Sequence, residues 1–272
     1  MADENLDFAL IDRPGGPVLI VAAANQRTAR SSGPHHHRRG QLFGSTRGLL
    51  TIGVDEGVWV VPTTHAVWVP PHRVHWARSH GPFHGYAVYV AEDDCADLPA
   101  APCAIRMSGL LREATLRAAG WPDGPLDASA ARLAGVILDE IRTLPVDPFG
   151  LPLPRDARLL RIARALADDP ADDRGLADWA RWAAISARSL SRRFVTETGF
   201  TFTAWRQRAR LMRALELLAD DVPVTRIALD LGYSTPSTFI GLFRRTFGVT
   251  PAAYRQRFEA PAGYGPGQGP AP

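Results

Sequence analysis

The chain has 272 residues, 46% of them hydrophobic and 22% charged, which are the proportions of a soluble globular protein long enough for two domains with separate cores. No apolar run approaches the length a membrane span needs, and Met1–Leu10 is acidic and lacks the features of a secretory signal, so a cytoplasmic protein with no membrane partner is expected. The net charge of +3 conceals an asymmetry, since residues 1–154 hold 13 arginines against 16 acids while residues 155–258 hold 18 against 11. Every basic residue is Arg and none is Lys, a bias that a GC-rich genome explains better than chemistry does. Cys95 and Cys103 have neither a metal-binding spacing nor a disulfide framework and read as free thiols.

From Val18 to Tyr89 short Val-, Trp- and Tyr-rich runs are broken by Gly and Pro. Val18–Val21, Leu49–Ile52, Val58–Val61, Ala66–Val69 and Tyr86–Val90 are the predicted strands, and their spacing suggests a small antiparallel barrel or jelly roll. Helical periodicity follows at Ser108–Ala119 and Leu126–Leu144. In the second helix Ala130, Leu133, Ile137, Ile141 and Leu144 form one apolar stripe, to be covered by the barrel wall or by a second copy of the chain. Residues 145–154 carry four prolines and read as a linker between a domain at 1–144 and another at 155–258. The Gly/Pro-rich tail, 259–272, has little to bury and is expected to be disordered.

The basic half contains one helix-turn-helix pattern twice, at Leu176–Phe194 and Val224–Phe243. Each copy has a short helix with a buried Ala (Ala180, Ala228), a turn, a polar cap (Ser186, Thr235) and a second helix. Leu190/Phe194 and Phe239/Phe243 face inward, leaving the opposite faces free to enter a major groove. In the first copy, Trp179 and Trp182 read as core, and the outer or flanking faces hold Arg188, Ser189, Ser191, Arg192 and Arg193. Arg188 and Arg192, one turn apart, suit a shared groove, and Arg is shaped to grip guanine by two hydrogen bonds. In the second copy, Pro236 sits at the first helical position, where its missing N–H costs nothing. Ser237, Thr238, Ile240 and Gly241 lie nearest the bases there, and Arg244 and Arg245 suit phosphate. A helix over Thr203–Leu218 would join the two copies.

Leu176–Phe258 resembles the DNA-binding domain of the AraC/XylS family of bacterial transcription regulators. The closing run Phe243-Arg-Arg-Thr-Phe-Gly-Val-Thr-Pro-Ala-Ala-Tyr-Arg255 is the most specific part of the likeness. The resemblance implies two helix-turn-helix units on a rigid helix, reaching successive major grooves about 34 Å apart on promoter DNA. Gly241 departs from it, because the family often has a larger polar or basic residue there.

In the acidic half, His35-His-His-Arg-Arg-Gly-Gln41 and Pro70-Pro-His-Arg-Val-His75 resemble the two motifs of the cupin barrel. That likeness implies a site made of His35, His37, Gln41 and His75, which would hold a divalent metal such as zinc or else line an effector pocket. Gln41 stands where the pattern has an acid, which removes a charge and suits redox iron poorly. No cofactor is otherwise required. His36, His65, His72, His80 and His84 read as surface or structural, and Trp59, Trp68, Trp76, Tyr86 and Tyr89 as aromatic surface near the barrel mouth.

The expected architecture is therefore α+β, with a cupin-like antiparallel β-barrel and helices followed by an all-α double helix-turn-helix domain. The expected function is sequence-specific transcription regulation in response to a small-molecule effector, not catalysis. Promoter DNA is the main partner, with RNA polymerase if the protein activates, and a homodimer is possible. The competing readings are a metal-dependent cupin enzyme, a dioxygenase or isomerase with a fused helical domain, and a metal-storage or metal-sensing protein.

Overall fold

The computed structural model describes residues 11, 16–121, 124–147 and 150–259. The acidic opening residues, 1–10, and the tail from residue 260 lie outside them. The chain forms two compact units, one chiefly of residues up to 52 and 61–149, the other of residues 53–60 and 150–256.

The strands of the first half are β1 (Leu19–Gln26), β2 (Gly40–Val54), β3 (Gly57–Val61), β4 (His65–Val69), β5 (His75–Val90) and β6 (Cys103–Arg106). Helices α1 (Gly109–Ala118) and α2 (Ala128–Thr143) follow, then β7 (Val146–Asp147) and β8 (Gly150–Pro152). In the first unit the strand order is β1-β5-β2-β4-β6-β7. The antiparallel registers pair Leu19 with Val90, Gln41 with Val69 and His65 with Arg106.

All five predicted strands occur, but β2 and β5 start much earlier than their apolar runs, and β6 was not foreseen. The cause is visible at Gly44, where an added Cβ would lie 2.3 Å from the Tyr86 ring. Gly44 leaves room for a ring on a neighbouring strand, so this Gly/Ser/Thr stretch is a strand despite its weak intrinsic preference.

Ser108 and Asp127 cap α1 and α2 through their side chains. The stripe on α2 is covered by the unit's own wall: Ala134, Ile137 and Ile141 are fully buried with Leu42, Trp68, Val88 and Leu111, and Leu133 and Leu144 are partly buried against the same cluster. Each of those isoleucines contributes about 1.5–3 kcal/mol by leaving water.

In the second unit, β3 pairs with β8 through Gly57↔Pro152, Val58↔Leu151 and Trp59↔Gly150. Part of the proline-rich stretch is thus a paired strand. Its carbonyls accept from the helical region, Pro152 O from Trp205 Nε1 at 2.7 Å and Gly150 O from Arg208 Nε at 2.6 Å. Seven helices follow: α3 (Ala157–Asp168), α4 (Leu176–Trp182), α5 (Ala187–Thr198), α6 (Phe202–Ala219), α7 (Val224–Asp230), α8 (Pro236–Phe247) and α9 (Pro251–Glu259). Leu159, Ile162, Trp179, Leu190, Phe194, Trp205, Leu215, Ile227, Phe239 and Phe243 have no exposed surface, as the periodicity predicts for the reading helices.

Candidate nucleic-acid interface and sensor site

Both helix-turn-helix units are built alike. The Ser186 hydroxyl accepts from Ser189 N–H, and the Thr235 hydroxyl accepts from Thr238 N–H. The capped helices, α5 and α8, are 12 residues long and end at Gly199 and Gly248. The preceding turns differ: Gly232 takes the left-handed conformation at φ +72°, whereas Ala184 takes it at φ +52° with a side chain in place.

With Leu190 and Phe194 inside, α5 presents Arg188, Ser191 and Arg192 to solvent, and Ser189 is half-buried with its hydroxyl accepting from that of Ser186. Arg193, by contrast, is tied to Asp156 at the start of α3. Glu197, one turn on, accepts from the backbone N–H groups of Arg155 and Asp156 at 2.8 and 2.9 Å. Hydrogen bonds from Arg158 hold the Asp156 carboxyl well below the usual carboxylate range, so it stays charged for Arg193. These contacts set the rotation of α5 about its axis. One residue that sequence reasoning missed shares the outward face: Val195, seven residues from Arg188 and 42% exposed.

On α8, Ser237, Thr238, Arg244 and Arg245 are exposed, and Ile240 and Gly241 are half-buried. The end of Arg245 lies over Gly241, its Nη1 3.5 Å from where a Cβ would stand. Among the described residues, no ion pair engages Arg188, Arg192, Arg244 or Arg245, whereas Arg158, Arg174, Arg181, Arg213 and Arg226 each have a carboxylate. Arg206 and Arg210 on α6 donate instead to carbonyls of residues 170–174, a structural use that the charge count could not reveal. Trp182 departs from the core reading. It is 44% exposed, with Arg161 4.7 Å from its ring centre, because α4 ends there and only Trp179 turns inward.

In the sensor unit His35, His37 and His75 come together, with one potential ligand atom on each lying within 4.8 Å of the others. His35, His37 and Gln41, which the alternation of an extended strand would put on one side, do not lie on one strand. His35 and His37 lie in irregular chain before β2, joined to the head of β5 by an isolated bridge between His35 and His75, and Gln41 is the second residue of β2. His37, Gln41 and His75 are buried and His35 is half-buried.

Each imidazole has Nδ1 beside a backbone carbonyl: His35 with Gly33 at 2.9 Å, His37 with Arg39 at 2.8 Å and His75 with Arg73 at 2.8 Å. A carbonyl only accepts, so each Nδ1 carries a proton, and a ring in its neutral form then has its lone pair on Nε2. Burial pushes the His75 imidazole down to about 4, which keeps it neutral. The Nε2 atoms of His37 and His75 converge on Gln41 Oε1 at 2.9 and 3.0 Å. Three acceptors facing one another are satisfied either by a cation among them or by turning the amide so that its NH₂ donates to both rings.

The other histidines are structural or superficial: His80 bonds Thr51 at 2.9 Å, His65 bonds Thr64 at 2.9 Å, His72 pairs with Glu92 at 2.7 Å, and His36 is exposed. Of the aromatic residues, Trp68 and Tyr86 are core, and Tyr89 stacks edge-on against His37 with ring centres 5.4 Å apart. A separate cleft of about 750 Å³, lined by Arg117, Trp121, Leu126, Arg132 and Leu133 among others, includes none of the histidines.

Residues 17–169 match the profile of the AraC-like ligand binding domain, and residues 179–257 match that of a helix-turn-helix domain. The chain is an AraC-family transcription regulator. It is 31% identical over 224 residues to the HTH-type transcriptional regulator NimR of Escherichia coli, covering 82% of each protein. RipA of Corynebacterium glutamicum is 35% identical over 122 residues, 45% of this chain and 35% of its own. RhaR of Pectobacterium carotovorum, a transcriptional activator, is 42% identical over 75 residues, 27% of this chain and 26% of its own. Among solved structures, ToxT from Vibrio cholerae aligns over 88% of this chain and 98% of its own at 9% identity, with a TM-score of 0.39, too low to support inference.

The regulator therefore combines a DNA-binding half with a ligand-binding half, and because its relatives regulate transcription the enzyme reading falls away. The family implies no cofactor, whereas the cupin-like motif implies a metal. The donor chemistry fits one, since three imidazoles with their outer nitrogens fixed by carbonyls and one amide oxygen form a set that suits a borderline divalent ion. Among the described residues no helix is long and apolar enough to cross a membrane.

Proposed function

We propose that this regulator, working in the cytoplasm, reads promoter DNA mainly through α5 and responds to an effector at the histidine cluster of its sensor half. The reading domain is taken as residues 155–258 and the sensor as 1–144. The observation that carries the reading is the pairing of a fully buried inner face, Leu190 and Phe194, with an outer face whose Arg188 and Arg192 have no acidic partner among the described residues. Both can reach one groove, with Ser189 and Ser191 beside them and Val195 able to meet a thymine methyl or sugar.

The second helix contributes Ser237, Thr238 and Ile240 at the groove, with Arg244 directed to phosphate. Arg245, assigned to phosphate by sequence, fills the space left by Gly241 and brings a guanidinium to the reading face. Gly241 thus does not leave that face without a polar group. His35, His37, Gln41 and His75 would hold a divalent ion that supplies a Lewis-acidic anchor.

Selection of bound sequences from random DNA, repeated with Arg192→Ala, tests the reading role. The variant should lose about 1–3 kcal/mol of binding and relax one base position. Unchanged affinity and specificity would remove α5 from that role.

A further inference from the structure

Residues 150–156 are held from two sides. The β8 strand pairs with β3, and the pairing is extended by Leu153 N–H, which donates to Glu56 O at 2.8 Å. Alternate residues of a strand turn their carbonyls to the same edge, so those of Gly150 and Pro152 lie on the edge opposite β3. There they accept from Arg208 Nε and Trp205 Nε1 of α6 at 2.6 and 2.7 Å. Further on, the N–H groups of Arg155 and Asp156 donate to Glu197 of α5, and the Asp156 carboxyl takes Arg193. α5 is also the helix that carries Arg188 and Arg192.

The fit on the β3 side is close. A Cβ at Gly150 would stand 2.2 Å from Trp59 Nε1, and one at Gly57 would stand 2.8 Å from Leu151 O. Trp59 and Leu151 are both buried. In packing of that density a displacement of one strand is passed to the other. Residues 53–60 belong to the same compact unit as the helices, although the rest of β2 and all of β4 belong to the other.

We propose that the β2–β3 hairpin positions the DNA-reading helix: Glu56 and Trp59 hold β8 in place, and residues 155 and 156 then fix the orientation in which α5 presents Arg188 and Arg192. Two residues far upstream of the matched helix-turn-helix region, 179–257, thereby take part in how the promoter is read. The inference rests on the reading role given to α5.

The test uses the full chain, selecting bound sequences from random DNA and measuring affinity for the parent's selected site at fixed salt. Gly150→Ala drives a methyl into the Trp59 indole. It should weaken binding at least tenfold and relax base preference at the positions that Arg192→Ala relaxes, with the remaining positions unchanged. In Trp59→Val the methyl has no indole to strike, so adding Gly150→Ala to that variant should change affinity less than twofold. Glu197→Ala should relax the same base positions, and Glu197→Gln, which keeps an acceptor oxygen, should not. Should Gly150→Ala fail to fold, the two Glu197 variants decide alone. A uniform loss of affinity with base preference retained would overturn the proposal, as would equal effects of Gly150→Ala with and without the indole. If Arg192→Ala relaxes base preference and the Gly150 and Glu197 variants do not, the positioning role falls and the reading role of α5 stands. If Arg192→Ala leaves base preference unchanged, both fall.

Discussion

The two helix-turn-helix units share an inner face and differ on the outer one. Inside, Ala180 matches Ala228, and Leu190/Phe194 match Phe239/Phe243, all buried at 0–2% exposure. Outside, α5 carries two arginines one turn apart that have no ion-pair partner among the described residues, whereas α8 carries Ser237, Ile240 and Gly241, with Arg245 folded over the glycine. Packing constrains the inner residues to one solution, because a close-packed core penalises any change of volume. The outer residues are held by no such requirement and can diverge toward separate tasks. A scaffold repeated in one chain therefore need not read DNA twice in the same way.

The comparison can be broken first at the scaffold. Phe194→Ala and Phe243→Ala should each cost about 3–5 kcal/mol in denaturant unfolding of the helical half; a much smaller loss at either would mean that the two cores are not equivalent. At the outer faces the asymmetry should appear in binding. Arg192→Ala should cost about 1–3 kcal/mol of promoter affinity and Ile240→Ala about 0.5 kcal/mol or less, measured by titration at fixed salt. Equal losses would restore a symmetric reader.

The turns sharpen the contrast further. Gly232→Ala should lose about 1–2 kcal/mol of stability, since φ is +72° and the new Cβ would stand 3.0 Å from Ala171 O. Ala184→Gly should be near neutral, because relief of the left-handed strain is offset by about 0.5–1 kcal/mol of added chain entropy. Loss of either cap, Ser186→Ala or Thr235→Ala, should cost about 1 kcal/mol and by similar amounts in the two units.

The helical half was readable from sequence almost element by element. Ser186 and Thr235 as caps, Pro236 at a helix start and the apolar residues four apart are local signals, and helices are made of local contacts. The barrel was less so. β2 begins at Gly40, nine residues before its apolar run at Leu49, and β6 carries no strong pattern, because both owe their existence to partners far along the chain. In the sensor site the four residues were named by the likeness to the cupin motifs, yet the strand alternation that would align His35, His37 and Gln41 is absent. A bridge between His35 and His75 brings them together.

The sequence by itself carried the likeness to the family in its motifs, the two-part division of charge in its composition, and the inner faces of both reading helices in the spacing within a few turns of one helix. Only the tertiary structure decided which arginines are available. Arg193 is held by Asp156, Arg206 and Arg210 by backbone carbonyls, while Arg188 and Arg192 have no such partner among the described residues. A guanidinium's role depends on which acceptors the fold brings within about 3 Å of it, and those acceptors lie tens of residues away in the chain.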